Sequence, residues 1–205
     1  MTASRRACLR AGPVILAAAL AACSSPPAQY YRLAAIPGAI HSNAPFTVGV
    51  RGISIPGYLN QDGIAKNSGD YQFGVYGNEL WADRLGDMLQ SAMVQDLAQR
   101  LPTATVIGSG GSIGVSSDVL VEINVLRFDP DSTGKIILTA QFAIKSGSTR
   151  SLWATRTFEN SATPDNANVS DIVAKMSLLW ASLSDQIADL ITQYQTQPPD
   201  PSDPD

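Results

Sequence analysis

The chain has 205 residues, 44% of them hydrophobic and 16% charged, with a formal net charge of −4; this composition supports one core-bearing domain and excludes a highly charged disordered protein. No run reaches the roughly 18 to 20 apolar residues of a bilayer span, which excludes a polytopic membrane protein. The acidic balance, with basic residues scattered singly after position 32, argues against nucleic acid as a partner.

The N-terminus reads as an export leader. Arg5, Arg6 and Arg10 form a positive region, Val14 to Ala22 a short apolar one, and small residues precede Cys23. Leu20-Ala21-Ala22-Cys23 resembles a bacterial lipobox, with residues 1–22 as signal peptide and Cys23 as the lipid attachment site. Ser24, in place of an aspartate, favours the outer membrane. Ser4 to Arg10 also resembles a twin-arginine signal, and the general secretory route stays open beside it. Removing 22 residues from 205 leaves 183 and, with the loss of Arg5, Arg6 and Arg10, takes the net charge from −4 to −7. Of the two cysteines, Cys8 is then discarded with the leader and Cys23 is consumed by lipid.

Residues 23–29 read as a lipidated tether and 30–194 as the folded domain. Tyr30 to Ile36 is expected as a first strand, and Phe46 to Ile53 as the second. Ile55 to Leu59 is an irregular exit. Ile64 to Lys66 and Tyr71 to Tyr76 are the arms of a hairpin. Glu79 to Leu101 reads as a helix capped by Asn78 and stopped by Pro102, with Trp81, Leu85, Met88, Leu89, Ala92, Leu97 and Leu101 on one face. A short strand, Thr103 to Ile107, leads into the glycine-rich run 108–114. Val119 to Phe128, Lys135 to Lys145 and Ser151 to Phe158 are strands. Asn168 to Tyr194 is a second helix, with Ile172, Met176, Leu179, Leu183, Ile187, Leu190, Ile191 and Tyr194 as its apolar stripe. Residues 195–205 form an acidic, Pro-rich tail expected to be disordered. The expected class is α+β: a mixed, mostly antiparallel sheet with two long amphipathic helices packed on one face.

Catalytic and cofactor chemistry finds little support. The glycine-rich run lacks the Gly-Lys-Ser/Thr of a phosphate loop and is followed by a strand, so it reads as a flexible connection. One histidine, His41, and no cluster of soft ligands leave no metal site, and no cofactor is expected. His41 reads as an exposed loop residue with neither acid nor nucleophile placed beside it. Asp83, Asp87 and Asp96 read as a solvated helix face. Trp81, Trp153 and Trp180 could each anchor a partner interface, with core packing as the default for Trp81 and Trp180.

Three blocks in order carry a resemblance: Tyr31 to Leu33, Ile55 to Leu59, and Trp81 to Leu85. Together with the lipobox they resemble the PqiC-type (YmbA-like) family of ABC-type transport auxiliary lipoproteins, over most of residues 23–194. One departure is Asn60-Gln61, where the family often has Asp-Arg. The resemblance implies a non-enzymatic, outer-membrane lipoprotein facing the periplasm, held through acylated Cys23. It would dock an MCE-domain protein and ABC transporter components of an intermembrane lipid transport system. Tyr58, Leu59 and Trp81 are the candidate partner-binding residues, and a ring-like homo-oligomer is compatible with such partners. The alternatives are an assembly or stabilising lipoprotein of another envelope complex, an envelope hydrolase using His41, and a direct lipid carrier.

Overall fold

The computed structural model describes residues 26–42, 45–69, 71–112 and 114–196. The expected leader, Cys23 and positions 197–205 of the expected tail lie outside the described residues.

Alternating apolar residues build the centre. Strands β6 (Val119–Pro130), β7 (Ile136–Ser146) and β8 (Leu152–Ala162) form an antiparallel meander. Ile136, Leu138, Ala140, Phe142 and Ile144 are all buried, as their period of two requires. Val119, Val121, Ile123 and Val125 are buried alike. The β6–β7 register then shifts between Val125 and Arg127. This bulge reverses the phase of β6, so Leu126 is exposed while Phe128 turns to the core and stacks on Trp180 at 6.0 Å. Strand β2 (Thr47–Val50) pairs parallel with both β6 and β5 (Thr105–Gly108), giving the sheet order β5-β2-β6-β7-β8.

The α+β class holds, but the single expected sheet is two. A separate three-stranded sheet has the order β1-β4-β3, from β1 (Gln29–Tyr31), β3 (Gly63–Gly69) and β4 (Gln72–Trp81). β3 and β4 are the expected hairpin, with longer arms. β1 pairs parallel with the far end of β4, Tyr31 opposite Trp81. This pairing corrects the first helix. Residues 79–81 are strand, and helix α1 covers only Leu85–Arg100. The side chain of Asn78 does not cap it but donates to the Pro26 carbonyl, 2.6 Å away. Trp81 and Leu85 are four apart, a helical spacing that a strand running into a helix also permits. α1 touches β2 and β5; helix α2 (Val169–Thr196) touches β6, β7 and β8, and the two helices touch each other. Asn168 caps α2 through a 2.8 Å bond from the Asp171 amide. α2 runs through Gln195 and Thr196, which were expected in the tail.

The stretch from Arg32 to Ile40, expected in part as strand, has no ladder. Helix side chains take its amides instead: Ala34 donates to Ser177 Oγ (3.1 Å), Ile36 to Asp96 Oδ1 (2.8 Å) and Gly38 to Gln99 Oε1 (2.9 Å). Asp96 is therefore not on a solvated face; it is buried on α1 one turn before the buried Arg100. Arg100 donates to Asp185 Oδ1 (2.6 Å), to the Ile36 carbonyl (2.9 Å) and to the Ala181 carbonyl (3.1 Å). The buried face of α1 thus carries two charges, unlike the purely apolar stripe expected. Gly38 passes so close to Arg100 and Asp185 that a Cβ there would collide with both.

Two outcomes follow from this knot. Arg100→Met leaves Asp96 buried without its cation and lowers the unfolding free energy by about 3 to 5 kcal/mol in urea denaturation. Burial raises the Asp96 carboxyl above its ordinary 3.8, against the opposing hydrogen bonds from Ile36 and Ser184 and the charge of Arg100. As pH rises from below 3.8 toward the folded value, the unfolded chain releases this proton first, so the Asp96 contribution to stability falls. The difference in unfolding free energy between the wild type and Asp96→Asn, which cannot titrate, declines across that window.

Candidate functional site

The segment from Arg51 to Leu59 links the two sheets. Its first part runs along β6: the Arg51 amide donates to the Val121 carbonyl and Ser54 bridges Asn124. Pro56 then starts a single 3-10 turn, Gly57–Leu59. The turn drives Leu59 into the core at 2% exposure and leaves Tyr58 half-buried. The Tyr58 hydroxyl donates to Asp129 Oδ1 at 2.8 Å, and Arg127 Nε lies 3.3 Å from the same oxygen. Asp129 is buried, and the β6 bulge is what places it opposite Tyr58. Burial first, then the bond to Asp129, pushes the Tyr58 phenol well above its ordinary 10.0. The hydroxyl is therefore a fixed donor, not an acid or base at neutral pH.

Trp81 closes the other side of this joint. Its amide donates to the Asp62 carbonyl (2.7 Å), and the Ala82 amide donates to the Tyr31 carbonyl (2.8 Å). Its side chain is 5% exposed. Of the three candidate partner-binding residues, then, Leu59 and Trp81 hold the joint from inside, and Tyr58 alone shows part of its ring. Trp180 is core as well, with its indole donating to the Leu89 carbonyl at 3.1 Å; Trp153 is half-buried, 6.2 Å from Tyr194.

Two further surfaces are uncovered. On the hairpin, Tyr71 is 97% exposed and Phe73 54%, with Val75 behind them and the Phe73 ring 4.5 Å from that of Tyr58. On the five-stranded sheet, an open trough of about 580 Å³ is lined by Arg51, Glu122, Asn124, Gln141, Thr155 and Thr157, among others. Glu122 lies 2.6 Å from Lys145 Nζ and 3.4 Å from Arg51, and the Lys145 hydrogen bond, ahead of the charges, holds its carboxyl below the usual value. The hairpin was legible in the sequence; its exposed apolar residues were not singled out, although Tyr71, Phe73 and Val75 alternate at strand spacing.

His41 corrects an expectation. It is not a free loop residue: its side chain is 20% exposed, Nε2 lies 3.2 Å from Asp189, and its amide donates to the Arg100 carbonyl (2.7 Å). An acid does hold it, in the same stitching that ties this segment to the helices. Among the described residues of the glycine-rich run no helix opens: Gly108 ends β5, and β6 is the next element. Among the described residues, no group of three or more His, Cys, Asp or Glu is placed to hold a metal ion. No described helix is long and apolar enough to cross a membrane.

Known proteins give this arrangement a context. The sequence model of the ABC-type transport auxiliary lipoprotein component family matches residues 31–188. The intermembrane transport lipoprotein PqiC of Escherichia coli (strain K12) is 27% identical over 130 residues, covering 61% of this chain and 68% of its own. The protein of the same name from Shigella flexneri matches to the same extent. Among solved structures, protein XCC0632 from Xanthomonas campestris superposes with a TM-score of 0.67 at 18% identity, over 82% of this chain and 98% of its own. An uncharacterised protein superposes with a TM-score of 0.66 at 22% identity, over 79% and 97%. These two likenesses concern the fold.

Tyr58→Phe tests the joint. It leaves the buried Asp129 oxygen without its hydroxyl donor and lowers stability by about 1 to 3 kcal/mol, read as a lower urea midpoint with an unchanged slope.

Proposed function

The chain belongs to the family of ABC-type transport auxiliary lipoprotein components, of PqiC type, and from this we propose that it is an outer-membrane lipoprotein that docks an MCE-domain protein of an intermembrane lipid transport system. The observation that carries the reading is the family match over residues 31–188, which spans the core and the joint. Acylated Cys23 holds the chain in the membrane with the domain in the periplasm. Three acyl chains would bind firmly where one binds only marginally.

The role is mechanical. A fixed phenol at Tyr58 and an ion-paired trough offer shape and hydrogen bonds to a partner. Partner contact is assigned to the ring edge of Tyr58 and to the trough that Arg51 begins, with Leu59 and Trp81 setting the angle between the two sheets from within. A polar, open sheet face suits the wet rim of a protein interface. A ring of such chains, matched to a ring-forming partner, is the assembly this reading entails, with the ABC transporter components reached through the MCE-domain protein.

Two measurements check it. In cells, a chain with Cys23→Ala and a cleavable secretory leader in place of residues 1–22 leaves the outer-membrane fraction for the soluble periplasm; retention in the outer membrane contradicts the anchor. A photo-crosslinking residue in place of Thr157, in the trough, captures an MCE-domain protein, while the same group in place of Thr133, in the β6–β7 turn, does not. Adducts only with another envelope complex would instead select the assembly role.

A further inference from the structure

We propose that the tip of the β3–β4 hairpin is a second membrane contact, with Tyr71 and Phe73 resting in the headgroup region of the bilayer that holds Cys23. The inference builds on lipid attachment at Cys23 and concerns the end of the hairpin beyond Phe73, whose ring borders the Tyr58 docking edge.

Strand direction comes first. β1 pairs parallel with β4, Gln29 opposite Glu79. The chain that precedes Gln29 therefore leads toward the hairpin end of β4 and away from α1. The bond from Asn78 Nδ2 to the Pro26 carbonyl keeps it beside β4 as far back as the described residues extend.

Reach comes second. Cys23 is three residues before Pro26, so it lies within about 11 Å of it. Phe73 is five residues before Asn78 on β4, about 17 Å along an extended strand. The hairpin tip thus projects at least as far toward the anchored end as the lipidated residue can. A membrane that takes up the acyl chains meets the tip.

The chemistry of the tip fits that surface. Tyr71, at 97% exposure, and Phe73, at 54% with one side of its ring against Tyr58, are large aromatic residues that the fold leaves largely uncovered. Aromatic rings, tyrosine with its polar end among them, suit the membrane–water interface. In an acidic chain the whole stretch from Gly63 to Asn78 has two charged residues, Lys66 and Asp70. Lys66 Nζ sits 5.1 Å from the Tyr76 ring centre, a cation over an aromatic face available to a lipid phosphate. A bilayer surface is the occupant that strand direction, reach and composition jointly require.

The mature chain keeps Cys23 as its only cysteine, blocked by lipid, so an introduced cysteine is a unique label site. The full chain, exported and acylated, carries Tyr71→Cys or, as control, Ala98→Cys on the exposed side of α1. Each is labelled with an environment-sensitive fluorophore and reconstituted into phosphatidylethanolamine–phosphatidylglycerol vesicles containing brominated lipid. The expected result is a blue shift and a severalfold loss of emission at position 71, with neither at 98. A chain that floats with the vesicles while its label at 71 stays in water overturns this inference and leaves the anchor standing. A chain that does not float overturns the anchor and the inference together. A label at 71 that is shielded in detergent, without vesicles, as protein concentration rises assigns the tip to a second copy and also overturns it.

Discussion

The guanidinium of Arg100 is the point on which the layout turns. It sits in the last turn of α1 with almost no exposure, and it reaches α2 through Asp185 and the Ala181 carbonyl, and the N-terminal segment through the Ile36 carbonyl. Asp96, one turn earlier, accepts from Ile36 with one oxygen and from Ser184 with the other. A buried charge pair is tolerable only when its donors and acceptors are nearly all used, and here they are. The result is a three-way tie among α1, α2 and the N-terminal segment. That segment has no strand partner between Arg32 and Ile40, so without the tie its backbone would have no ordered course.

A second constraint places the small sheet. The β6 bulge turns Phe128 inward against Trp180 and, by the same reversal of phase, sends Asp129 outward under Tyr58. Tyr58 brings the 3-10 turn with it, and the turn buries Leu59. Trp81 meets this corner from the end of β4, where Tyr31 also pairs. One irregularity in a long strand therefore decides where the hairpin, β1 and the segment from Arg51 to Leu59 converge.

Much of this was readable in the residues. β7 alternates strictly and is buried on every second position; α2 repeats at three and four, with Asn168 at its start. The hairpin, the glycine-rich connection and the family resemblance carried by Tyr31 to Leu33, Ile55 to Leu59 and Trp81 to Leu85 were legible too. The errors share a cause. Glu79 to Trp81 looked helical because their strand partners lie fifty residues away, at Gln29 to Tyr31. Asp96 looked solvated because its partners, Ile36 and Ser184, are on other elements. His41 looked free because Asp189 is one hundred and forty-eight residues on.

The sequence by itself determined the class of the domain, its strongest strands and second helix, and the family. Those properties are written in local periodicity, in short spaced motifs and in composition. Only the tertiary structure decided that the strands divide into two sheets, that Leu59 and Trp81 face inward while Tyr71 and Phe73 face out, and that two charges on α1 are buried. Each of these depends on which distant residue supplies a partner or a cover, and burial and pairing over such separations leave no trace in the period of a single segment.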